Sequence, residues 1–151
     1  MKKHLIWVTL LALSFSCRPP VEKTHHFSLA EWNRFETVNY HAILEHTGTY
    51  DISMRLVYSD PVSMDHLTVG LTMETPYNEE RYLEQDFPLF RDGQPLGIAT
   101  GEEEGQYEVT IPFFREVRLQ EQGYYEFRID LLVNKYSVAG VHQLTLVLEP
   151  V

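Results

Sequence analysis

The sequence predicts an all-β chain, an antiparallel β-sandwich of jelly-roll or immunoglobulin-like type with about seven to eight strands. Three observations carry that expectation. Apolar and polar residues alternate strictly in run after run, as they do when one face of a strand is buried and the other is wet. Gly, Pro and Asp punctuate the runs at turn spacing. The chain has 151 residues, 44% of them hydrophobic and 13% aromatic. That is enough bulky apolar material for the core of one domain and too little length for two.

The first 16 residues read as an address. Met1-Lys2-Lys3-His4 is a basic start, and Leu5-Ile6-Trp7-Val8-Thr9-Leu10-Leu11-Ala12-Leu13 is an apolar run. The run is far shorter than the roughly 20 residues a bilayer-spanning helix needs, and it matches the roughly 7–15 of a secretory signal core. Leu13-Ser14-Phe15-Ser16-Cys17 then places a small residue before the one cysteine of the chain. This arrangement resembles the bacterial lipobox, which implies that Cys17 is lipidated and becomes the mature N-terminus. A lone cysteine has no partner for an intramolecular disulfide, and acylation accounts for it. Residues 17–26, with Pro19 and Pro20, are expected to form the lipidated Cys and a short stiff tether. Residues 27–151 are expected to form a single β-sandwich domain.

Within that body, residues 29–35 could make a helical turn, with Ser28 as N-cap and Glu31 three residues later. Tyr50, Ile52, Met54, Leu56 and Tyr58 share one strand face, against Asp51, Ser53 and Arg55 on the other. Leu67, Val69, Leu71 and Met73 form a second such face, and Tyr125, Phe127, Ile129, Leu131 and Val133 a third. Leu144, Leu146 and Leu148 form the last. Residues 38–44, 82–86 and 107–111 are further strand candidates. Gly48, Asp60-Pro61, Pro76, Asp92-Gly93 and Gln122-Gly123 mark the turns.

Charge narrows the partners. The chain carries 12 basic and 22 acidic residues, a formal net charge of −10. Loss of the leader with Lys2 and Lys3 leaves ten bases against the same 22 acids, a net of −12. Phosphate backbones repel such a body, so nucleic acid is excluded as a partner.

No catalytic motif stands out. The sequence lacks a nucleophile elbow, a phosphate loop and a paired-histidine zinc helix. His41 and His46 fall on opposite strand faces and His25-His26 are neighbours, so no convergent metal set is implied. Gly101-Glu102-Glu103-Glu104-Gly105 lacks the staggered carboxylate spacing of a calcium loop and reads as a solvated turn. A glycosidase would need two carboxylates about 5–9.5 Å apart across a cleft, such as Asp86 or Asp92 with a loop Glu. The expectation is therefore no enzyme, no cofactor and no metal. Gly93, Gly97, Gly101 and Gly105 recur every four residues in a long, turn-rich loop, and loops of this length are often functional. Tyr124 and Tyr125 are adjacent in a strand, so one points inward and the other outward. The candidate partner surface comprises Tyr124, Asp92, Gly93 and Gly97.

With these parts in order, the chain resembles a divergent member of the gliding-motility lipoprotein H (GldH) family of Bacteroidetes. The resemblance rests on Trp32 before the first strand and on Tyr50-Asp51-Ile52-Ser53-Met54-Arg55-Leu56-Val57-Tyr58. It continues through the loop Phe87-Pro88-Leu89-Phe90-Arg91-Asp92-Gly93-Gln94-Pro95-Leu96-Gly97 and the strand start Gly123-Tyr124-Tyr125-Glu126-Phe127. Val138-Ala139-Gly140-Val141 and Leu144-Thr145-Leu146-Val147-Leu148-Glu149 complete it. Departures are Leu96 in place of a Trp, Asn134-Lys135 in place of a Met-Arg pair, and Thr145 in place of a glycine. The resemblance implies an outer-membrane lipoprotein, a non-enzymatic accessory or scaffold of the gliding and type IX secretion machinery. Its partners would be envelope proteins of that apparatus and the membrane itself through the lipid. No acidic run follows Cys17, which favours the periplasmic face over surface display. The alternative is a glycan-binding β-sandwich lipoprotein, in which an exposed Tyr would stack on a sugar.

Overall fold

The computed structural model describes residues 18–151 and is all-β. The leader and Cys17 lie outside the described residues. In chain order the strands are β1 (Val21–His26), β2 (Glu31–Asn33), β3 (Val38–Leu44), β4 (Gly48–Ser59), β5 (His66–Glu74) and β6 (Glu80–Pro88). They continue as β7 (Phe90–Arg91), β8 (Gln94–Pro95), β9 (Ile98–Ala99), β10 (Gln106–Leu119), β11 (Gly123–Leu131), β12 (Ser137–Ala139) and β13 (Val141–Pro150). One sheet runs β1-β13-β4-β10-β9 and the other β3-β11-β5-β6, with β12-β2 and β7-β8 as two-stranded additions. All pairings are antiparallel.

Eight long strands carry the two sheets, and the count exceeds the sequence expectation through five strands of two or three residues. Among the eight, the first pairs with the last (β1 with β13) and the second with the seventh (β3 with β11). The third pairs with the sixth (β4 with β10), and the fourth with the fifth (β5 with β6). This is an antiparallel ribbon wound over itself, the jelly-roll form of the sandwich.

The core follows from the alternation. Tyr50, Ile52, Met54, Leu56 and Tyr58 of β4 are buried, as are Leu67, Val69, Leu71 and Met73 of β5. Tyr125, Phe127, Ile129 and Leu131 of β11 join them with Leu144, Leu146 and Leu148 of β13. The inner faces meet as in any sandwich. A hydrogen bond crosses between them: the Tyr40 hydroxyl of β3 donates to the Leu144 carbonyl of β13. Trp32 is fully buried, stacked on Phe27 at 5.0 Å, and its indole N–H donates to the Glu36 carbonyl.

Three expectations need correction. The tether was expected to reach residue 26, but β1 occupies residues 21–26, in register with β13 from Val21 opposite Leu148 to His26 opposite Gln143. Its polar sequence hid it. An edge strand gains from backbone pairing and polar side chains, and charge there discourages unwanted pairing. Thr24 Oγ1 lies 2.9 Å from Thr145 Oγ1, and Glu22 reaches across β13 to Arg55 of β4 at 2.5 Å. Trp32 consequently follows the first strand rather than preceding it.

The second correction concerns residues 29–35. Only Ser28–Ala30 forms a 3-10 turn, with Leu29 and Ala30 at φ 57° and 50°, and no side chain caps it. The Gly140 amide donates to the Ala30 carbonyl at 2.8 Å, and β2 then pairs with β12, so tertiary pairing overrides the local capping pattern. Thirdly, β10 runs well past residue 111, to Leu119. Irregularities between Pro112 and Val117 break its alternation, and Asp51 accepts the Glu116 amide at 2.7 Å where the ladder is interrupted.

Tyrosine hydroxyls pin both ends of the sandwich. Tyr50 donates to the His46 carbonyl and Tyr125 to the Glu121 carbonyl, both at 2.9 Å and both four residues back. Each fastens a turn at the end where β3 leads into β4 and β10 into β11, in the manner of a tyrosine corner. At the opposite end the Tyr58 hydroxyl sits 2.7 Å from the Leu89 carbonyl and 2.6 Å from that of Leu96. Burial pushes the Tyr58 and Tyr125 phenols up to about 12 from an ordinary 10.0. A phenol whose folded pKa is raised stabilises the fold below its unfolded pKa and loses that contribution as pH climbs to the folded value. Stability should therefore fall between pH 10 and about 12. A Tyr58→Phe, Tyr125→Phe double variant should show a shallower fall, read by denaturant midpoints alongside phenolate absorbance.

Candidate functional site

The sandwich has two distinct ends, and the register assigns each loop to one of them. The strand β4 runs from Gly48, opposite Leu119, to Ser59, opposite Gln106. At the first end lie Arg18, whose guanidinium is beside Gly48, the turns at residues 45–47, 75–79 and 120–122, and Val151. At the second lie the 3-10 turn, β2, β12 and residues 89–105. Twelve residues of β4 make the ends about 35–40 Å apart along the strand.

The four candidate partner residues do not converge. Asp92 and Gly93 join β7 to β8 at φ 52° and 74°, so they are the two central residues of a primed two-residue hairpin turn. Gly97 has φ 96°, and a Cβ built on it would stand 2.1 Å from the Glu108 carbonyl oxygen of β10. Gly97 is there because β9 is laid against β10. All three belong to the second end. Tyr124 belongs to the first, outward-facing beside the fully buried Tyr125, as the alternation implies. Its ring stacks on His41 of the neighbouring strand β3 at 5.2 Å, and its hydroxyl bonds His41 Nδ1.

The histidines are scattered among local partners. His25 Nε2 meets Glu36 at 3.1 Å, His41 meets Tyr124, and His26 and His142 come together only because β1 pairs with β13. Among the described residues, no group of three or more His, Cys, Asp or Glu is arranged to hold a metal ion. The Glu102–Glu104 stretch is an exposed turn, with Glu103 accepting the Gln106 side-chain amide at 2.8 Å. Asp86 accepts from Thr68 on the exposed side of β5 and β6.

Two features of the second end were not legible in the sequence. A groove of about 580 Å³ lies between the outer face of the larger sheet and the glycine-rich loop. Its lining includes His26, His142, Thr100, Glu102 and Glu108, and no Phe, Tyr or Trp. Such a wall offers hydrogen bonds and negative potential, and no ring on which a sugar could stack. The second feature is an exposed aromatic pair, Phe35 and Tyr136, edge to face at 5.7 Å with the Arg34 guanidinium 5.1 Å from the Phe35 ring. Leu29, 94% exposed on its left-handed turn, belongs to the same end. Both features depend on strands distant in sequence, and no local pattern announces such pairings.

No protein-family model matches the chain, and no curated protein does. Among solved structures, a chain of the infectious bursal disease virus Gx strain structure overlays 88% of this chain at 13% identity and a TM-score of 0.35. This chain covers 33% of the viral chain's length. At that TM-score the likeness carries no functional argument.

The loop geometry gives a graded prediction. Gly93 has a positive φ and open space around it, so Gly93→Ala should cost about 1–2 kcal/mol from backbone strain alone. Gly97→Ala adds a backbone collision and should cost clearly more, with the loss concentrated in faster amide exchange at residues 96–108. Equal urea midpoints for the two variants would contradict the packing of β9 on β10.

Proposed function

We propose that the protein is a non-enzymatic outer-membrane lipoprotein, anchored through Cys17 and serving as an accessory or scaffold of a gliding and type IX secretion apparatus. The observation that carries the anchor is the sequence itself: a basic start, nine residues of apolar run, and the single cysteine four positions before β1. Several acyl chains on one residue would hold the protein firmly to a membrane, whereas one alone binds marginally. Among the described residues, no helix is long and apolar enough to cross a membrane.

The scaffold role draws on the motif order quoted for the GldH family and on surface character. Partner contacts would fall at the second end, where Leu29, Phe35 and Tyr136 expose apolar surface beside Arg34. Aromatic residues and Arg are the side chains that most often anchor protein contacts. The glycan-binding alternative has less in its favour: the groove offers no aromatic wall, and one face of the Tyr124 ring is taken by His41.

The test is a gene deletion in the producing organism, complemented with wild type or Cys17→Ala, with colony spreading and release of secreted proteins measured. Loss of either, restored by wild type alone, is the expected result. Normal spreading and secretion in the deletion strain would sink the machinery reading.

A further inference from the structure

The shortened tether has a consequence for how the body would stand on a membrane. Only Arg18, Pro19 and Pro20 separate Cys17 from Val21, the first residue of β1. Four residue steps reach about 14 Å at full extension. These residues do not run straight out from the body. Arg18 and Pro19 line one hollow with Ile43, His46, Tyr50 and Pro150 at the first end of the sandwich, and the Arg18 guanidinium approaches Gly48. The chain therefore leaves the body at one end, close to its surface, and at no other place.

We infer that the protein sits end-on against a phospholipid headgroup surface, with the first end of the sandwich facing the bilayer and the second pointing away. This rests on the lipid-anchor reading and deepens it. Geometry sets which end is held close: a tether of at most about 14 Å keeps the first end at the membrane, while the second lies some 35–40 Å from it along the strand direction. Side chains at the first end suit that neighbour. Ile43 and Tyr77 are 71% and 75% exposed there, with Val151 and Tyr124 nearby in the register. Tyr is a side chain whose apolar ring and polar tip fit the headgroup zone. The corner hydroxyls of Tyr50 and Tyr125 hold two turns of the first end in place, so the approaching surface is rigid. An end-on stance also presents Phe35, Tyr136 and the groove to whatever lies beyond the membrane.

The experiment uses the full chain, processed in a lipoprotein-competent bacterial host and reconstituted in vesicles of phosphatidylethanolamine and phosphatidylglycerol. A fluorophore is placed by Ile43→Cys, Tyr77→Cys, Phe35→Cys or Ile98→Cys in separate variants, all at exposed positions that leave the core intact. Headgroup-linked nitroxide lipids serve as the quencher, and the mass of the N-terminal peptide reports acylation. The expected result is an acylated Cys17 with quenching several-fold greater at positions 43 and 77 than at 35 and 98. An acylated chain with equal quenching at all four, or more at 35 and 98, overturns the orientation while leaving the anchor standing. An N-terminal peptide without acyl chains overturns the anchor and the orientation with it.

Discussion

The pairing of the last long strand between the first and the third is the constraint on which the rest of the molecule depends. With β1 on one side and β4 on the other, β13 is buried on both faces. Leu144, Leu146 and Leu148 point into the core, while Thr145 and Val147 are covered on the outside at 2% and 8% exposure. The Thr24–Thr145 contact and the Glu22–Arg55 ion pair then lace β1 to the sheet across that outer face. The ion pair is part-exposed and its own contribution is modest. Its value is positional, because it fixes the register of an edge strand that has few apolar side chains to do so.

From this pairing follow the two ends. Once β1 is laid antiparallel to β13, Val21 must lie opposite Leu148 and the chain before it must emerge beside the C-terminus and the turn into β4. The glycine-rich loop is sent to the other end by the same register, since β10 begins opposite Ser59. Tyr58 ties that loop down through the carbonyls of Leu89 and Leu96, which is why a segment of many glycines and acids still packs on the sandwich. A single topological fact thus puts the chain leading into β1 at one end and Phe35, Tyr136 and the glycine-rich loop at the other.

Much of the fold could be read from the residues because the alternation of β4, β5, β11 and β13 is strict and the two faces of each are unlike. The segment 38–44 alternates as well, and the structure places β3 on those same residues. What escaped is what alternation does not encode. Strand β1 is polar because it sits at an edge, β10 hides its second half behind Pro112 and local irregularities, and β2 forms only because β12 is there to pair with it. Site residues fared less evenly for the same reason. Tyr124 faces outward as its neighbour Tyr125 implies, but Asp92, Gly93 and Gly97 turn out to serve turn and packing geometry. The groove between His26, His142 and Glu108 joins residues from the start, the end and the middle of the chain, and no spacing rule brings those together.

The end-on stance depends on β1 being part of the folded body, since that pairing leaves only residues 18–20 between Cys17 and the sheet and fixes where the chain enters it. Native-state hydrogen exchange tests it directly. Alternate amides in Val21–His26 should be protected to nearly the level of the β13 and β4 amides, and should lose protection in the same cooperative opening. Exchange at residues 21–26 as fast as in an unstructured peptide, with β13 and β4 still protected, would contradict the pairing and leave the sandwich free on a long tether.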